Sequence, residues 1–202
     1  EAMPPAYVAF FIWCSFAILW WTGWRKETAD GIPDAAAAVF LAGWPVMAWR
    51  EIPLPGAGEV QGAFLWTLLA MLGLFWRMEP YRRAMAASAG FLASSLGVWL
   101  TYAVLMEAAP GWAMGRMAAA AAGVCAALLV RGADGQIAAV SLAVLAPELL
   151  EGVWNAENGP VRLGSAENAE SWWIGVLAAR ACAAAAWAVR AGWGSLVRKK
   201  GG

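Results

Sequence analysis

Glu148 and Glu151 stand three residues apart behind Pro147, in the stretch Ala146-Pro147-Glu148-Leu149-Leu150-Glu151-Gly152-Val153-Trp154 that closes a long apolar run. Arg180 lies inside the next apolar run, in Leu177-Ala178-Ala179-Arg180-Ala181-Cys182. Ionisable groups within apolar helices need partners, so these three residues are the first place to look for chemistry. Paired carboxylates can serve hydrolysis as acid and base, but that chemistry also needs a nucleophile or metal ligands. The chain has no histidine and no GxSxG, so the usual general base and the commonest metal ligand are both missing.

Other charges fall near the same helix ends as Glu148 and Glu151. Arg50, Glu51, Glu107 and Arg116 each read as a solvated or snorkelling end residue. Together with Glu148, Glu151 and Arg180, the residues Arg50, Glu107 and Arg116 form a candidate polar site lining an outward-facing cleft. The three cysteines, Cys14, Cys125 and Cys182, sit in different apolar runs and match no zinc or CxxC spacing. They read as small packing residues. No disulfide, metal or cofactor is expected, and a formal net charge of zero gives no basic face for nucleic acid.

The elements that must position these residues are apolar blocks. Of 202 residues, 62% are hydrophobic and 14% charged, well below the about 25% charged residues of a soluble domain. The blocks approach the length of membrane spans, which predicts an all-α polytopic bundle forming one integral membrane domain over 1–202. Seven spans are expected, at about 5–24, 34–52, 59–76, 84–106, 112–130, 136–154 and 172–193. Asp34 is the expected N-cap of the second, and Pro45 should kink it. Ile52-Pro53-Leu54-Pro55-Gly56 reads as a rigid turn. In the fourth, Ala86, Gly90 and Ser94 give the small-xxx-small spacing that lets helix backbones approach closely. The first run lacks a basic segment before it, so it does not read as a secretory signal.

Seven spans place the termini on opposite sides, and basic residues then decide orientation. One side collects Arg25, Lys26, Arg77, Arg82, Arg83, Arg131, Arg190, Arg198, Lys199 and Lys200. The other collects Arg50, Arg116 and Arg162, with Arg180 left within the membrane. This asymmetry puts the N-terminus outside and the C-terminus in the cytoplasm. Glu148 lies six residues before Trp154 and Arg180 eight after Trp172, depths of roughly 9 and 12 Å from the outer face. Spans six and seven are antiparallel, so the two charges are expected to pair and fix how those helices face each other.

Ten of the fifteen tryptophans, among them Trp20, Trp172 and Trp173, fall near span ends and read as interfacial anchors. Trp13, Trp44, Trp66, Trp99 and Trp187 lie deeper and read as core. Lysines occur only at 26, 199 and 200, outside the spans, which excludes a retinal Schiff base within the bundle.

Gly23-Trp24-Arg25 with Gly31-Ile32-Pro33, Ala42-Gly43-Trp44, Gln136-Ile137-Ala138-Ala139-Val140-Ser141-Leu142, and Trp172-Trp173 with Arg180 resemble the YphA-like family, small integral membrane proteins of endospore-forming bacteria. The likeness runs over nearly the whole chain. It implies a multi-pass protein of the cell membrane, without catalytic residues to carry over. The favoured reading is a non-enzymatic accessory or interaction component of a bacterial plasma membrane, with the lipid bilayer and a protein partner or further copy as its contacts. A small carrier with a polar site near Glu148 and Arg180 is the second reading, and an intramembrane enzyme the third.

Overall fold

The computed structural model describes residues 7–54, 58–105, 111–155 and 159–200. Its helices are α1 (Tyr7–Trp21), α2 (Arg25–Ala29), α3 (Asp34–Ala48), α4 (Gly62–Arg77), α5 (Pro80–Leu100), α6 (Gly111–Leu129), α7 (Ala133–Asn155) and α8 (Ala166–Lys200). A π-helical turn, Thr101–Leu105, extends α5. The fold is all-α apart from a small sheet of β1 (Glu51–Leu54), β2 (Gly58–Gln61) and β3 (Val161–Leu163). β1 and β2 are antiparallel and β3 joins β2 in parallel, with Glu59 opposite Arg162.

Each of the seven apolar segments read from the sequence contains a helix, although the third, expected from 59, starts its helix only at Gly62 because Gly58–Gln61 pairs as β2. Three helices, Pro80–Ala103, Ala133–Asn155 and Ala166–Arg190, are long and apolar enough to cross a membrane. The apolar helices Tyr7–Trp21, Asp34–Ala48, Gly62–Arg77 and Ala113–Leu129 are shorter. The 15 residues of α1 rise about 22 Å, against about 30 Å of hydrocarbon.

Several boundaries move for local reasons. The second span stops at Ala48 because Glu51–Leu54 pairs as β1 instead of continuing the helix or forming only a turn. Pro33, not Asp34, holds the N-cap position of α3. Asp34 is the first helical residue, and its carboxylate takes Arg25 at 2.6 Å. The last helix begins at Ala166, six residues before the expected start, because Ser165 caps it. The Ser165 hydroxyl oxygen accepts the Asn168 N–H at 3.0 Å, which satisfies one of the orphan donors of the first turn.

Helices α5, α6, α7 and α8 make the centre of the bundle; α1 packs on α8, and the α3–α4 pair docks through α4 on α7. Small residues set these approaches. A Cβ on Gly123 of α6 would overlap the Gly175 carbonyl of α8, and one on Gly90 of α5 would lie 2.9 Å from the Ala139 carbonyl of α7. Ala86, Gly90 and Ala93 are buried on that face of α5, while Ser94 is half-buried.

Aromatic rings fill the space between α1, α3 and α8. Trp173 lies edge-on to Trp172 at 4.8 Å and to Trp44 at 5.4 Å, with Phe16 at 5.6 Å. Trp172 and Trp173, expected at the interface, are therefore core; the early start of α8 carries them more than a turn into the bundle. Trp20 is core as well. Trp99 and Trp187, expected in the core, stand 59% and 72% exposed on the bundle's outer surface.

Pro45 lies inside α3 without ending it. Proline has no N–H, so the Leu41 carbonyl one turn earlier loses its helical donor. The Trp13 indole of α1 takes that carbonyl at 2.9 Å. A sequence feature read as a kink is thus also a tie between two helices.

Candidate functional site

The sheet lies at one end of the bundle, against α7. Gly152 of α7 presents so little bulk that an added Cβ would lie 2.6 Å from Leu163 and 3.1 Å from Val161. The chain leaves β3 through Gly164, at φ +83°, a conformation that favours glycine. That turn delivers the Gly164 N–H to Glu148, whose carboxylate accepts it at 2.5 Å. Ser165 then caps α8.

These pieces enclose a cavity of about 530 Å³ between the last turns of α7, β3 and the first turn of α8. Glu148 and Glu151 line it from α7, Arg162 from β3, and Glu167 and Asn168 from α8. Arg162 also reaches back to Glu59 at 3.0 Å, the cross-strand pair that the sheet register dictates. With Asn155 also in its lining, the cavity presents three carboxylates, two amides and a guanidinium. It can hold a polar or cationic group by hydrogen bonds and charge. Its Ser165 hydroxyl oxygen is engaged in the helix cap.

A second ion pair lies a turn further along α8. Arg116 of α6 donates to one Glu170 oxygen through Nη2 at 2.7 Å and through Nε at 3.2 Å. The other Glu170 oxygen accepts the Val8 N–H of α1 at 3.3 Å. The Glu170 side chain is only 4% exposed. A carboxylate at a helix N-terminus also meets the positive end of that helix's dipole. Glu170 thus ties α1, α6 and α8 together, a structural arrangement more than a reactive one.

Arg180 belongs to the opposite end. It donates to the Gln136 side-chain oxygen at 2.7 Å and, through Nε at 2.9 Å and through Nη2, to the Glu27 carbonyl. Gln136 in turn donates to the Val130 carbonyl at 3.0 Å, just beyond α6. The Glu27 carbonyl belongs to the last turn of α2, where a cation is favourably placed. Beside it, the nearly buried Asp134 takes Arg82 at 2.7 Å and the Gly135 N–H at 2.8 Å. This polar hub holds α2, the α6–α7 connection and the start of α5 against α8.

The expected Glu148–Arg180 pair is therefore corrected. Ser141 accepts the Trp172 indole N–H and Val144 accepts the Asn168 amide, which sets the antiparallel register of α7 and α8. In that register Glu148 meets Gly164 and Arg180 meets Gln136. Twelve residues of α7, roughly 18 Å of helix, separate the two charges. The expectation fails because it starts the last helix at Trp172, where the hydropathy rises, and not at its cap.

Of the other candidate residues, Glu151 shares the cavity with Glu148, and Arg116 pairs with Glu170 outside its lining. Arg50 is exposed beside β1 and does not line the cavity. Glu107 lies outside the described residues. Sequence reading leaves Arg162, Glu167 and Asn168 in a polar loop. Gly164-Ser165, a turn residue followed by a capping residue, is the signal that places them on an element. Among the described residues no group of three or more Cys, Asp or Glu is gathered as for a metal ion.

Fold and sites together define a helical bundle with membrane-length helices, polar at both ends and aromatic in its core. No known protein family, curated protein or solved structure matches the chain.

Proposed function

We propose that the protein is a seven-span integral membrane protein of a bacterial plasma membrane and works without catalysis, as an accessory or interaction component. Its binding feature is the polar cavity at the sheet end, which faces outward in this reading. The observation that carries the reading is the placement of that cavity: it sits where two membrane-length helices, α7 and α8, meet at the end poor in basic residues. Membership of the YphA-like family belongs to the same proposal.

The register of α7 and α8 supports the orientation. With Arg180 drawn to the hub, eleven basic residues gather at that end and three at the sheet end. The basic end is cytoplasmic by the positive-inside rule, and the N-terminus is outside. The four shorter helices complete the spans by thinning the bilayer locally or by snorkelling of their flanking residues.

A carrier is the second reading. It needs a polar route from Glu148 to the midplane. The polar cavity and the apolar cleft beside α3 and α4 share no described lining residue, which supports the accessory role over it.

Surface labelling tests the proposal. In intact cells a membrane-impermeant maleimide should label Glu151→Cys in the cavity and leave Lys26→Cys unlabelled until the membrane is opened. The reverse pattern overturns the orientation. Recovery of the protein in the soluble fraction after carbonate extraction overturns the membrane reading itself.

A further inference from the structure

A cleft of about 360 Å³ runs between α1, α3, α4 and α8 and shares nothing with the polar cavity. Its size suits a small molecule or one arm of a larger one. Its lining is almost wholly apolar, with Trp20, Phe40, Trp66 and Trp173 among its walls. It opens sideways between α3 and α4, where Val39 and Leu69 are 60% and 52% exposed. In a membrane-embedded bundle that opening faces hydrocarbon, and bilayer lipid is the molecule that can enter.

Three observations give the occupant a polar end. Arg77 is the one charged group among the described lining residues, and its guanidinium has no partner among the described residues. It stands at the end of α4, on the basic side of the bundle. Trp20 and Trp173 are 6% and 2% exposed, and their indole N–H groups have no acceptor among the described residues. Buried donors of this kind ordinarily carry a partner. Both belong to the walls of this one cleft.

We propose that the cleft holds one acyl chain of an anionic phospholipid taken laterally from the bilayer, with its phosphate at Arg77 and its ester oxygens available to the buried indoles. An unpaired guanidinium is matched by a net negative headgroup. The ammonium of a zwitterionic headgroup finds no carboxylate in the lining. The proposal rests on the membrane reading above and adds to it a ligand, its chain and its headgroup charge.

The test uses the full chain extracted in mild detergent and analysed by native mass spectrometry with dioleoyl phosphatidylglycerol or dioleoyl phosphatidylcholine added. The expected result is one retained phosphatidylglycerol per chain and weaker retention of phosphatidylcholine. Gly73 lines the cleft, and a Cβ there would meet nothing within 4 Å. Gly73→Phe should therefore fill the space without disturbing the fold and lower retention of both lipids. Leu128→Phe, on an exposed face of α6 away from the cleft, should leave retention unchanged. Arg77→Gln should keep the chain but shrink the preference for phosphatidylglycerol about tenfold, the loss expected of one charge-assisted contact.

Equal retention by wild type and a Gly73→Phe protein that unfolds at the same temperature overturns the cleft as the site. Equal retention of both lipids by the wild type overturns the headgroup assignment. A protein that stays in the membrane on carbonate extraction but retains no lipid overturns this proposal alone. One that leaves the membrane overturns the membrane reading as well.

Discussion

At the scale of single residues, the molecule is held by side chains that finish what the backbone cannot. Glu148 completes the Gly164 amide, Gln136 the Val130 carbonyl, and Trp13 the Leu41 carbonyl that Pro45 leaves open. In the proposed membrane setting the Leu41 carbonyl, within the bundle, would have no water to turn to. The Trp13 bond makes a sharp prediction. Trp13→Phe keeps most of the ring and removes the donor, and should cost about 1 kcal/mol in thermal unfolding in detergent. Pro45→Ala restores a backbone N–H within α3. In that background Trp13→Phe should lose most of its effect, and an undiminished cost would show that the indole serves by packing alone.

At the scale of elements, the register between α7 and α8 decides which charges meet. It predicts that Gln136→Ala and Arg180→Gln couple by about 0.5–3 kcal/mol, while Glu148→Gln and Arg180→Gln add to within about 0.5 kcal/mol. Double-mutant cycles on detergent stability check this. Strong coupling of Glu148 with Arg180 would mean a slide of α8 by several turns. The helices themselves were legible, because apolar runs of Ala, Leu, Val and Trp announce them directly. Their starts were not. Asn168 and Glu170 are polar, so hydropathy alone withholds the first turns of α8, and the error passes into every contact across α7. The sheet was hidden for another reason: Glu59 and Arg162 pair across 103 positions, a distance that local pattern does not span. Tryptophan depth was hidden as well: Trp172 and Trp187 lie on one helix, and local sequence does not say that neighbouring helices cover the first and leave the second exposed.

For the whole molecule, length and charge act together. The 35 residues of α8 extend about 52 Å, well beyond about 30 Å of hydrocarbon. In the proposed membrane topology a tilt of about 20°, the usual value for such helices, would still leave its basic end clear of the bilayer. That end contributes Arg198, Lys199 and Lys200 to the eleven basic residues of the hub side. Their removal leaves eight against three, so replacing all three by alanine should leave the orientation unchanged. Impermeant-maleimide labelling of Glu151→Cys in intact cells reads it directly. Loss of labelling would show that the tail, not the hub, sets the topology.

The bond from Trp13 to Leu41 also has an order in time. In the proposed seven-span topology α1 leaves the ribosome before α3, so the indole would already be in the membrane when the proline-bearing helix arrives. α3 on its own would enter hydrocarbon with a bare carbonyl; beside α1 it does not. The early helix acts as a waiting partner, and chain order becomes part of how the bundle avoids an unsatisfied intermediate during synthesis.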